Sequence, residues 1–388
     1  MRFHYLVLFL PVLCFSLPVT AQEVVQEGIR LGNFALRPEA NALLGYDNRA
    51  SFDNVDAAEG DIYGEISAGA SLYNLPAAHS LSADARYGYR YYDQFDDFND
   101  DFYNAGASVG SSESALEWGL SGDVEKSLDY NTFYDPDTGE GPDSILSDQP
   151  NKRWTARGNV GYAIPLSEKT FFVPGYSLEH YYHEFEGSDT AEWQTHNASL
   201  LLRHVLTERT TLLAGGFYTL QANDEENGYI VTAGIGAEGR ISDKTSWQAL
   251  VGVAHVDYDY SGADEGGVAD LRAQWQATEK LSTYVFYSNT YEPGYGGGRA
   301  RMVYRAGYGG GWQFTPRWSL GGQVLHDYTD EVGSGTESDG YGGVNHFFTA
   351  QMAYNPTRRL SAILRAQYIN DQYSIDQKLV SLGVGYVY

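Results

Sequence analysis

The sequence predicts an all-β fold, a transmembrane, antiparallel, up-and-down β-barrel of about 18 strands with short periplasmic turns and longer acidic extracellular loops. Three observations favour this fold. From Phe34 onward, runs of about ten alternating apolar and polar residues repeat along the chain, separated by turn-forming residues. The chain combines 32 Tyr, 7 Trp and 44 Gly, a composition that suits a barrel with aromatic girdles at both membrane interfaces. Residues 381–388 alternate small or polar residues with large apolar ones and stop on an aromatic residue.

The amino terminus has the pattern of an export signal. Arg2 and His4 precede an apolar run over residues 5–17, and residues 19–21 suit a cleavage site. We therefore predict a cleaved signal peptide over 1–21, a short periplasmic extension over 22–33 and the barrel over 34–388. A membrane-spanning helix is the weaker interpretation, because the run is short and contains Pro11. Cleavage removes Cys14, so the mature chain is expected to have no disulfide.

Two kinds of connection separate the predicted strands. In most of the tight turns a Ser or Thr is followed by an acid or Pro and then a base, so that the first side chain can bond the local backbone. The other connections are acidic and rich in Gly or Asp. The tight turns are 74–77, 112–114, 166–169, 207–209, 242–244, 278–280, 315–317 and 355–358; the loops lie near 48–60, 94–100, 129–151, 183–190, 222–228, 259–266, 292–298, 330–342 and 370–375. Eight turns and nine loops predict eighteen strands, a count that could be off by two if a loop hides a hairpin.

Alternation within each strand assigns one face to lipid and the other to the lumen. The odd-numbered residues from Leu81 to Tyr91 are predicted to face lipid, and Arg86 and Arg90 are predicted to face the lumen. Met302, Tyr304 and Tyr308 are likewise predicted to face lipid. Aromatic residues near strand ends are expected to form the girdles. At the loop end these are Tyr91, Tyr92, Tyr181, Tyr182, Tyr258, Tyr260 and Tyr328; at the turn end they are Trp247, Trp275, Trp312 and Trp318.

The same alternation predicts a set of charged residues that line a pore. Facing basic and acidic groups would set a transverse field for solutes, but they could equally pair across neighbouring strands and only solvate the wall. Lumenal Tyr63, Tyr284 and Phe286 could stack on sugar rings or pack against an inward loop. The pore-lining candidates are Arg37, Glu39, Glu65, Asp84, Arg86, Arg90, Arg157, Arg203, Asp270, Arg272, Arg301, Arg305 and Arg365, and further acids on this face are Glu117, Asp123 and Glu238.

The loops allow further functional hypotheses. The longest, 129–151, could fold into the channel or remain a solvated surface loop. Acidic loop residues would concentrate cations at the mouth over about one Debye length. These acids are Asp96, Asp97, Asp100, Asp101, Asp224, Glu225, Glu226, Asp330 and Glu331, and Asp135, Asp137, Glu140 and Asp143 are a conceivable Ca²⁺ set whose spacing matches no defined calcium loop.

Other function classes find little support. The net charge of −26 argues against nucleic acid as a partner. The histidines are scattered, and no nucleophile with a base and an orienting group is recognisable, so we predict no catalytic residues, no enzymatic activity and no cofactor. His180 and His183 lie three apart in a strand and therefore point to opposite faces, so we also predict no metal site.

Two stretches resemble known outer-membrane proteins. Ser381, Gly383, Tyr386 and Tyr388 resemble the terminal-strand signal that the barrel-assembly machinery reads. Gly28 to Gly32, Phe34, Pro38 and Gly45 to Asn48 resemble a family of β-barrel porins whose genes often accompany exopolysaccharide synthesis, although the extra Asp that often precedes the Asn in that family is missing here. The resemblance implies a barrel fold, an outer-membrane location in a Gram-negative cell and a link to polysaccharide export.

The sequence therefore predicts an outer-membrane channel that passes hydrophilic solutes or assists polysaccharide export. The alternative is a structural or adhesion barrel whose acidic loops bind surface sugars or divalent cations. Expected partners are outer-membrane lipid and lipopolysaccharide, the barrel-assembly machinery and a polysaccharide. The oligomeric state stays open.

Overall fold

The computed structural model describes residues 28–48, 60–74, 79–94, 99–111, 116–127, 151–185, 190–223, 227–259, 262–292, 300–331, 343–370 and 376–387. These residues form twenty strands, eighteen of them 11 to 18 residues long. The strands are β1 (Ile29–Leu31), β2 (Phe34–Asp47), β3 (Asp61–Asn74), β4 (Ser80–Tyr92), β5 (Asp100–Ser111), β6 (Leu116–Ser127), β7 (Asn151–Tyr162), β8 (Ile164–Pro165), β9 (Thr170–Phe185), β10 (Thr190–Thr207), β11 (Thr210–Asn223), β12 (Asn227–Ser242), β13 (Thr245–Tyr258), β14 (Gly262–Thr278), β15 (Leu281–Glu292), β16 (Arg301–Thr315), β17 (Trp318–Glu331), β18 (Gly343–Tyr354), β19 (Leu360–Asn370) and β20 (Asp376–Val387).

The eighteen long strands close into one antiparallel barrel. Each pairs with its sequence neighbours, and β2 pairs with β20 from Glu39 opposite Val387 to Asp47 opposite Leu379. The short strand β8 extends the line of β7 along β9, and β1 folds back onto the start of β2 through Gly32, whose φ of 66° suits a residue without a Cβ. The predicted strand number is therefore confirmed. Among the described residues no helix is long and apolar enough to cross a bilayer.

The strands are longer than the predicted run of about ten residues. Asp100 and Asp101 begin β5, and Asp330 and Glu331 end β17, so these four acids belong to strands and not to loops as predicted. Lys126 explains the first case, because its Nζ lies 2.5 Å from an Oδ1 of Asp100 and 2.9 Å from Asp101. Ion pairs between adjacent strands thus stabilise the strand pairing beyond the outer edge of the apolar band.

The outer surface of the barrel carries a broad apolar face. Tyr87, Tyr89 and Tyr91 are all exposed there, as are Trp275 and Trp312 nearer the turns. Such a surface is costly in water and suits contact with acyl chains.

Three residues predicted to face lipid point inward, and a fourth is buried. Tyr92 and Tyr181 lie on the inner face next to outward Tyr91 and Tyr182, because consecutive residues of a strand point to opposite faces. Tyr258 also points inward and is 3% exposed. A fourth is Met302, which is buried with Tyr291 and Tyr258 in an apolar cluster, at the outer ends of β14 and β15 where the two strands no longer pair.

The six predicted tight turns that lie wholly within the described residues use the predicted chemistry. In the turn after β10, the Thr207 hydroxyl accepts from the amide of Arg209, and in the turn after β16 that of Thr315 accepts from the amides of Arg317 and Trp318 at 3.2 and 3.0 Å. In the turn after β18 the bonding residue is Thr357 and not Asn355, because Pro356 moves the turn along by two positions. Equivalent bonds are made by Ser167, Ser242 and Thr278.

Successive turns are also linked to one another. The backbone carbonyl of the last residue of a turn accepts a hydrogen bond from a backbone amide just before the next turn. The Val205 amide donates to the Lys169 carbonyl at 2.8 Å, and the Arg240 amide donates to the Arg209 carbonyl at 2.8 Å. The register shifts by one or more residues at these points, for example between Val205 and Thr207. The same amide-to-carbonyl bonds run from Gln276 to Lys244, from Gln313 to Lys280, from Asn355 to Arg317 and from Val387 to Arg359.

Aromatic rings lie over glycines on the inner face. Tyr284 is directly opposite Gly309, and a Cβ built on that glycine would fall 2.5 Å from the Tyr284 hydroxyl. The ring thereby crosses β16, and its hydroxyl donates to Gln323 on β17 at 2.8 Å. Glycine is required at such a position because any side chain would occupy the space of the ring. The other directly opposed pairs are Tyr63 with Gly45, Phe102 with Gly88, Tyr258 with Gly228 and Phe286 with Gly307.

Side chains reinforce the seam between β2 and β20 at its outer end. The Asn48 amide donates to the Lys378 carbonyl at 3.2 Å, and the Lys378 amide donates back to Asn48 Oδ1. The side-chain amide of Gln377 donates through Nε2 to Asp47 Oδ2 at 3.1 Å. The motif from Gly45 to Asn48 therefore has a structural role: its first residue admits the Tyr63 ring and its last two fasten the seam.

Several predictions lie outside the described residues. They concern the signal peptide 1–21, residues 22–27 of the extension, loop 129–151 up to residue 150, and Tyr260 and Tyr388. The acids Asp96, Asp97, Asp135, Asp137, Glu140, Asp143, Asp224, Glu225 and Glu226 lie there too.

Candidate functional site: the inner face of the barrel

The strand register brings the thirteen predicted pore-lining residues to one face. Arg90 opposes Glu65, Arg86 opposes Gly69, and Gly69 in turn opposes Glu39, so this set follows the inner face from β4 to β2. Each remaining candidate occupies a position of its strand that alternates with the exposed apolar residues, so it lies on the other, inner face of the sheet. The lining of a pore by these residues stays a prediction.

The arginines of β4 reach acids on the preceding strands. Arg86 spans the side-chain-free Gly69 and donates to Glu39 at 2.6 Å, two strands away. Arg90 pairs with Glu65 and lies 4.5 Å above the centre of the Tyr63 ring. Both cations therefore lie along the wall and do not project from it.

Arg157 on β7 is the centre of a larger network. It bonds Glu179 directly opposite on β9, and its other nitrogens reach Asp123 at 3.1 Å and the Tyr181 hydroxyl at 3.1 Å. Arg153, two inward-facing positions along β7, pairs with Glu125 at 2.8 Å. Three adjacent strands thus share one continuous ionic surface.

A second network occupies the outer half of β15 to β17. Arg305 bonds Glu292 and also Asp327, from whose Oδ2 its Nε is 3.1 Å away. Arg301 lies 3.7 Å from the same glutamate. Arg305 and Asp327 are both buried, so the charges neutralise one another away from solvent.

Other predicted residues form smaller pairs. Arg203 bonds Glu238 across β11, Arg272 bonds Asp270 two residues earlier at 2.7 Å, and Asn104 donates to Asp84 at 3.1 Å. Arg37, Glu117 and Arg365 lie on the inner face by register.

Sequence reasoning did not identify five charged members of these networks. Glu125, Arg153, Glu292 and Asp327 lie near the outer ends of their strands, whereas Glu179 lies in the middle of β9. Continuing the alternation from Arg157 to Arg153, or from Gln323 to Asp327, would have found them.

Charge is distributed unevenly around the inner face. The ionic networks follow one another from β2 to β9, whereas β10 to β13 present mainly neutral or apolar side chains such as Leu213, Ile230 and Val256. Leu325, Phe347 and Ile369 form another buried apolar cluster with Tyr284 and Phe286. The inner face is therefore not uniformly polar.

The three lumenal aromatic residues lie flat on the wall. Tyr63, Tyr284 and Phe286 are 5%, 9% and 4% exposed, and each covers a glycine of the neighbouring strand. They therefore act first as packing elements of the barrel. In the part of the chain that is described, no group of three or more His, Cys, Asp or Glu side chains is arranged to hold a metal ion.

Comparisons with known proteins agree with the architecture. No protein-family model matches the chain, and no characterised protein matches it in sequence. Among solved structures, Pseudomonas aeruginosa OccK2 (OpdF) in complex with glucuronate has a TM-score of 0.51 at 10% identity, over 92% of this chain and 98% of that one. Acinetobacter baumannii OccAB4 has a TM-score of 0.48 at 13% identity, over 91% and 98%. The copper transporter OprC has a TM-score of 0.47 at 11% identity, over 93% and 81%. The fold is that of outer-membrane β-barrel porins.

Proposed function

We propose that the protein is an outer-membrane channel that passes hydrophilic solutes. The observation that carries the proposal is the closed ring of eighteen strands whose inner face holds its arginines in ion pairs along the wall. Eighteen strands enclose more space than wall side chains fill. Cations held against the wall leave that space free while still presenting charge to it.

The uneven inner face suggests which solutes pass. A charged arc from β2 to β9 adjoins the largely neutral arc of β10 to β13, so a solute with one polar and one less polar side meets a surface that matches each of its sides. We infer that small polar organic solutes pass more readily than bulky polyelectrolytes. Assistance in polysaccharide export remains part of the proposal, supported by the resemblance at residues 28–48 alone.

The location and processing belong to the same proposal. We infer an outer-membrane location with lipopolysaccharide as the surrounding lipid, cleavage after Ala21, and recognition of Ser381, Gly383, Tyr386 and Tyr388 by the barrel-assembly machinery. A transport role without catalysis is consistent with the structural neighbours, which are outer-membrane channels and transporters. Mass spectrometry of the protein from outer-membrane fractions would test the cleavage site.

A second candidate is a structural or adhesion barrel that does not transport. The apolar clusters on the inner face favour it, because Val256 and Leu325 are fully buried, whereas the lining of an aqueous pore is expected to be wet. In this case the outer loops would contact surface sugars or cations.

Planar-bilayer recording separates the two. Purified protein is added to a bilayer in potassium chloride, and a heat-unfolded sample serves as the control. Stepwise conductance from the folded sample alone supports the channel. Absence of steps from correctly folded protein contradicts it and favours the structural barrel, which then predicts that loop deletions abolish binding to surface sugars.

A further inference from the structure

Two imidazoles meet on the outer surface of the barrel. His326 on β17 and His346 on β18 are directly opposite in the strand register, and their Nδ1 atoms are 2.6 Å apart. The ring centres are 4.8 Å apart with the planes at 83°. Two ring nitrogens this close share one proton, with one nitrogen donating and the other accepting. The antiparallel ladder, not a flexible loop, holds the two nitrogens together.

The pair lies near the outer edge of the membrane. His326 is eight residues from Trp318 at the turn end of β17, which corresponds to a rise of about 20 Å for a strand tilted by about 40°. The apolar band of such barrels is about 25 Å tall. The outward rings of Tyr304 and Tyr328, 5.7 Å apart, lie just beyond the pair on the loop side. The histidines therefore lie where lipid headgroups and dissolved ions can reach them.

We propose that His326 and His346 form a two-nitrogen binding site for a divalent transition-metal ion that prefers tetragonal nitrogen ligation, such as Cu²⁺. Two ligands at right angles and about 2.0 Å from one ion have nitrogens about 2.8 Å apart, which is close to the separation seen. The ion replaces the shared proton, and its other positions are open to water or to headgroup oxygens. Imidazole is a ligand that suits Cu²⁺ and Ni²⁺.

Other outward histidines differ in their partners. Nδ1 of His196 bonds the Tyr176 hydroxyl at 2.7 Å, and His255 lies 3.2 Å from a carboxylate oxygen of Glu265. Neither arrangement brings a second imidazole nitrogen within reach of one ion. His196 is therefore a matched control: it is an outward strand histidine with a similar hydrogen bond but no second nitrogen.

The test uses the purified barrel in detergent, without a histidine tag. It is titrated with Cu²⁺ and examined by electron paramagnetic resonance at one equivalent. We expect one ion per chain with two equatorial nitrogens. The variants His326→Asn and His346→Asn should each weaken binding on the order of 10- to 100-fold, and His196→Asn should leave it unchanged. Binding that is absent, or that is unaffected by both substitutions, overturns the proposal.

A second measurement uses the unaltered chain. Histidines are modified with diethyl pyrocarbonate, with and without Cu²⁺, and mapped by mass spectrometry. Protection of His326 and His346 but not of His196 supports the site; equal modification with and without the ion counts against it. Because neither experiment measures transport, a failed conductance assay and a failed metal site are independent results.

Discussion

Asn48 and Lys378, 330 positions apart in the chain, hold each other by two hydrogen bonds. The Asn48 amide donates to the Lys378 carbonyl, and the Lys378 amide donates to the Asn48 side chain. The pair lies at the outer end of the β2–β20 seam, where the barrel closes. One asparagine thus satisfies both backbone groups of a residue on the last strand.

We predict that Asn48→Ala weakens the seam locally. Loss of one side-chain acceptor at a partly solvated site should cost about 0.5–1.5 kcal/mol of unfolding free energy. Urea unfolding in lipid vesicles measures this cost, and hydrogen exchange should show faster opening at residues 376–380 than elsewhere. Asn48→Asp keeps the acceptor oxygen and is the control. Equal exchange rates in the Ala variant and the unaltered protein would contradict the role of the side chain.

Removal of Arg305 is predicted to be among the most damaging single changes to the wall. Arg305→Ala leaves Asp327, which is 1% exposed, and Glu292 without their shared cation. Breaking such a buried pair costs about 3–5 kcal/mol. Arg86→Ala is the comparison, because the Arg86 side chain is 43% exposed and its pair should contribute no more than about 1 kcal/mol. Similar unfolding midpoints for the two variants would refute the distinction.

Gly309→Ala is predicted to displace the ring of Tyr284. The added Cβ would fall 2.5 Å from the Tyr284 hydroxyl and 2.9 Å from the Gln323 Cβ, so the ring must leave its bond to Gln323. Overpacking of this kind costs about 1–3 kcal/mol. Gly267→Ala is the control, since a Cβ there meets nothing within 4 Å. A control variant that unfolds at the same urea concentration as Gly309→Ala would show that the ring is not the cause.

Neutralising Arg157 is predicted to make the proposed channel more selective for cations. Arg157→Gln leaves Glu179 and Asp123 on the inner face without their counter-charge. One unit charge acting over about 10 Å of water contributes about 0.4 kcal/mol, a factor of about two in the permeability ratio. Reversal potentials in a potassium chloride gradient near 0.1 M measure the ratio, because the Debye length there is about 10 Å.

The control for this experiment is Arg209→Gln. Arg209 lies in a turn beside Asp243 and outside the ring, and its side chain is 59% exposed. The ion selectivity of the Arg209→Gln variant should match that of the unaltered protein. An Arg157→Gln variant with unchanged reversal potential would mean that Arg157 does not face the conducting path.

The sequence was sufficient to predict the barrel because the determining signal is local. Alternation with a period of two decides which face each residue occupies, so Arg86, Arg157 and Arg305 could be assigned correctly from their neighbours alone. The Ser and Thr turns were also predictable, because a hydroxyl bonds an amide two or three residues away in the chain.

The pairings were not predictable, because they depend on register between strands far apart in the chain. Nothing near Arg86 indicates that it reaches across Gly69 to Glu39, 47 positions away. The burial of Tyr258 and Met302 depends likewise on the glycine opposite Tyr258 and on the point where β14 and β15 stop pairing. Such arrangements arise only once the sheet has closed.

From Lys169 onward the linked turns join each hairpin to the next in chain order. The Lys169 carbonyl is bonded to the following hairpin through Val205, and the Arg209 carbonyl to the one after that through Arg240. A wall built one hairpin at a time would therefore lack one such turn-to-turn bond at its advancing margin, in addition to the unpaired backbone groups of its edge strand. That margin disappears when Val387 docks against Arg359 and β20 meets β2.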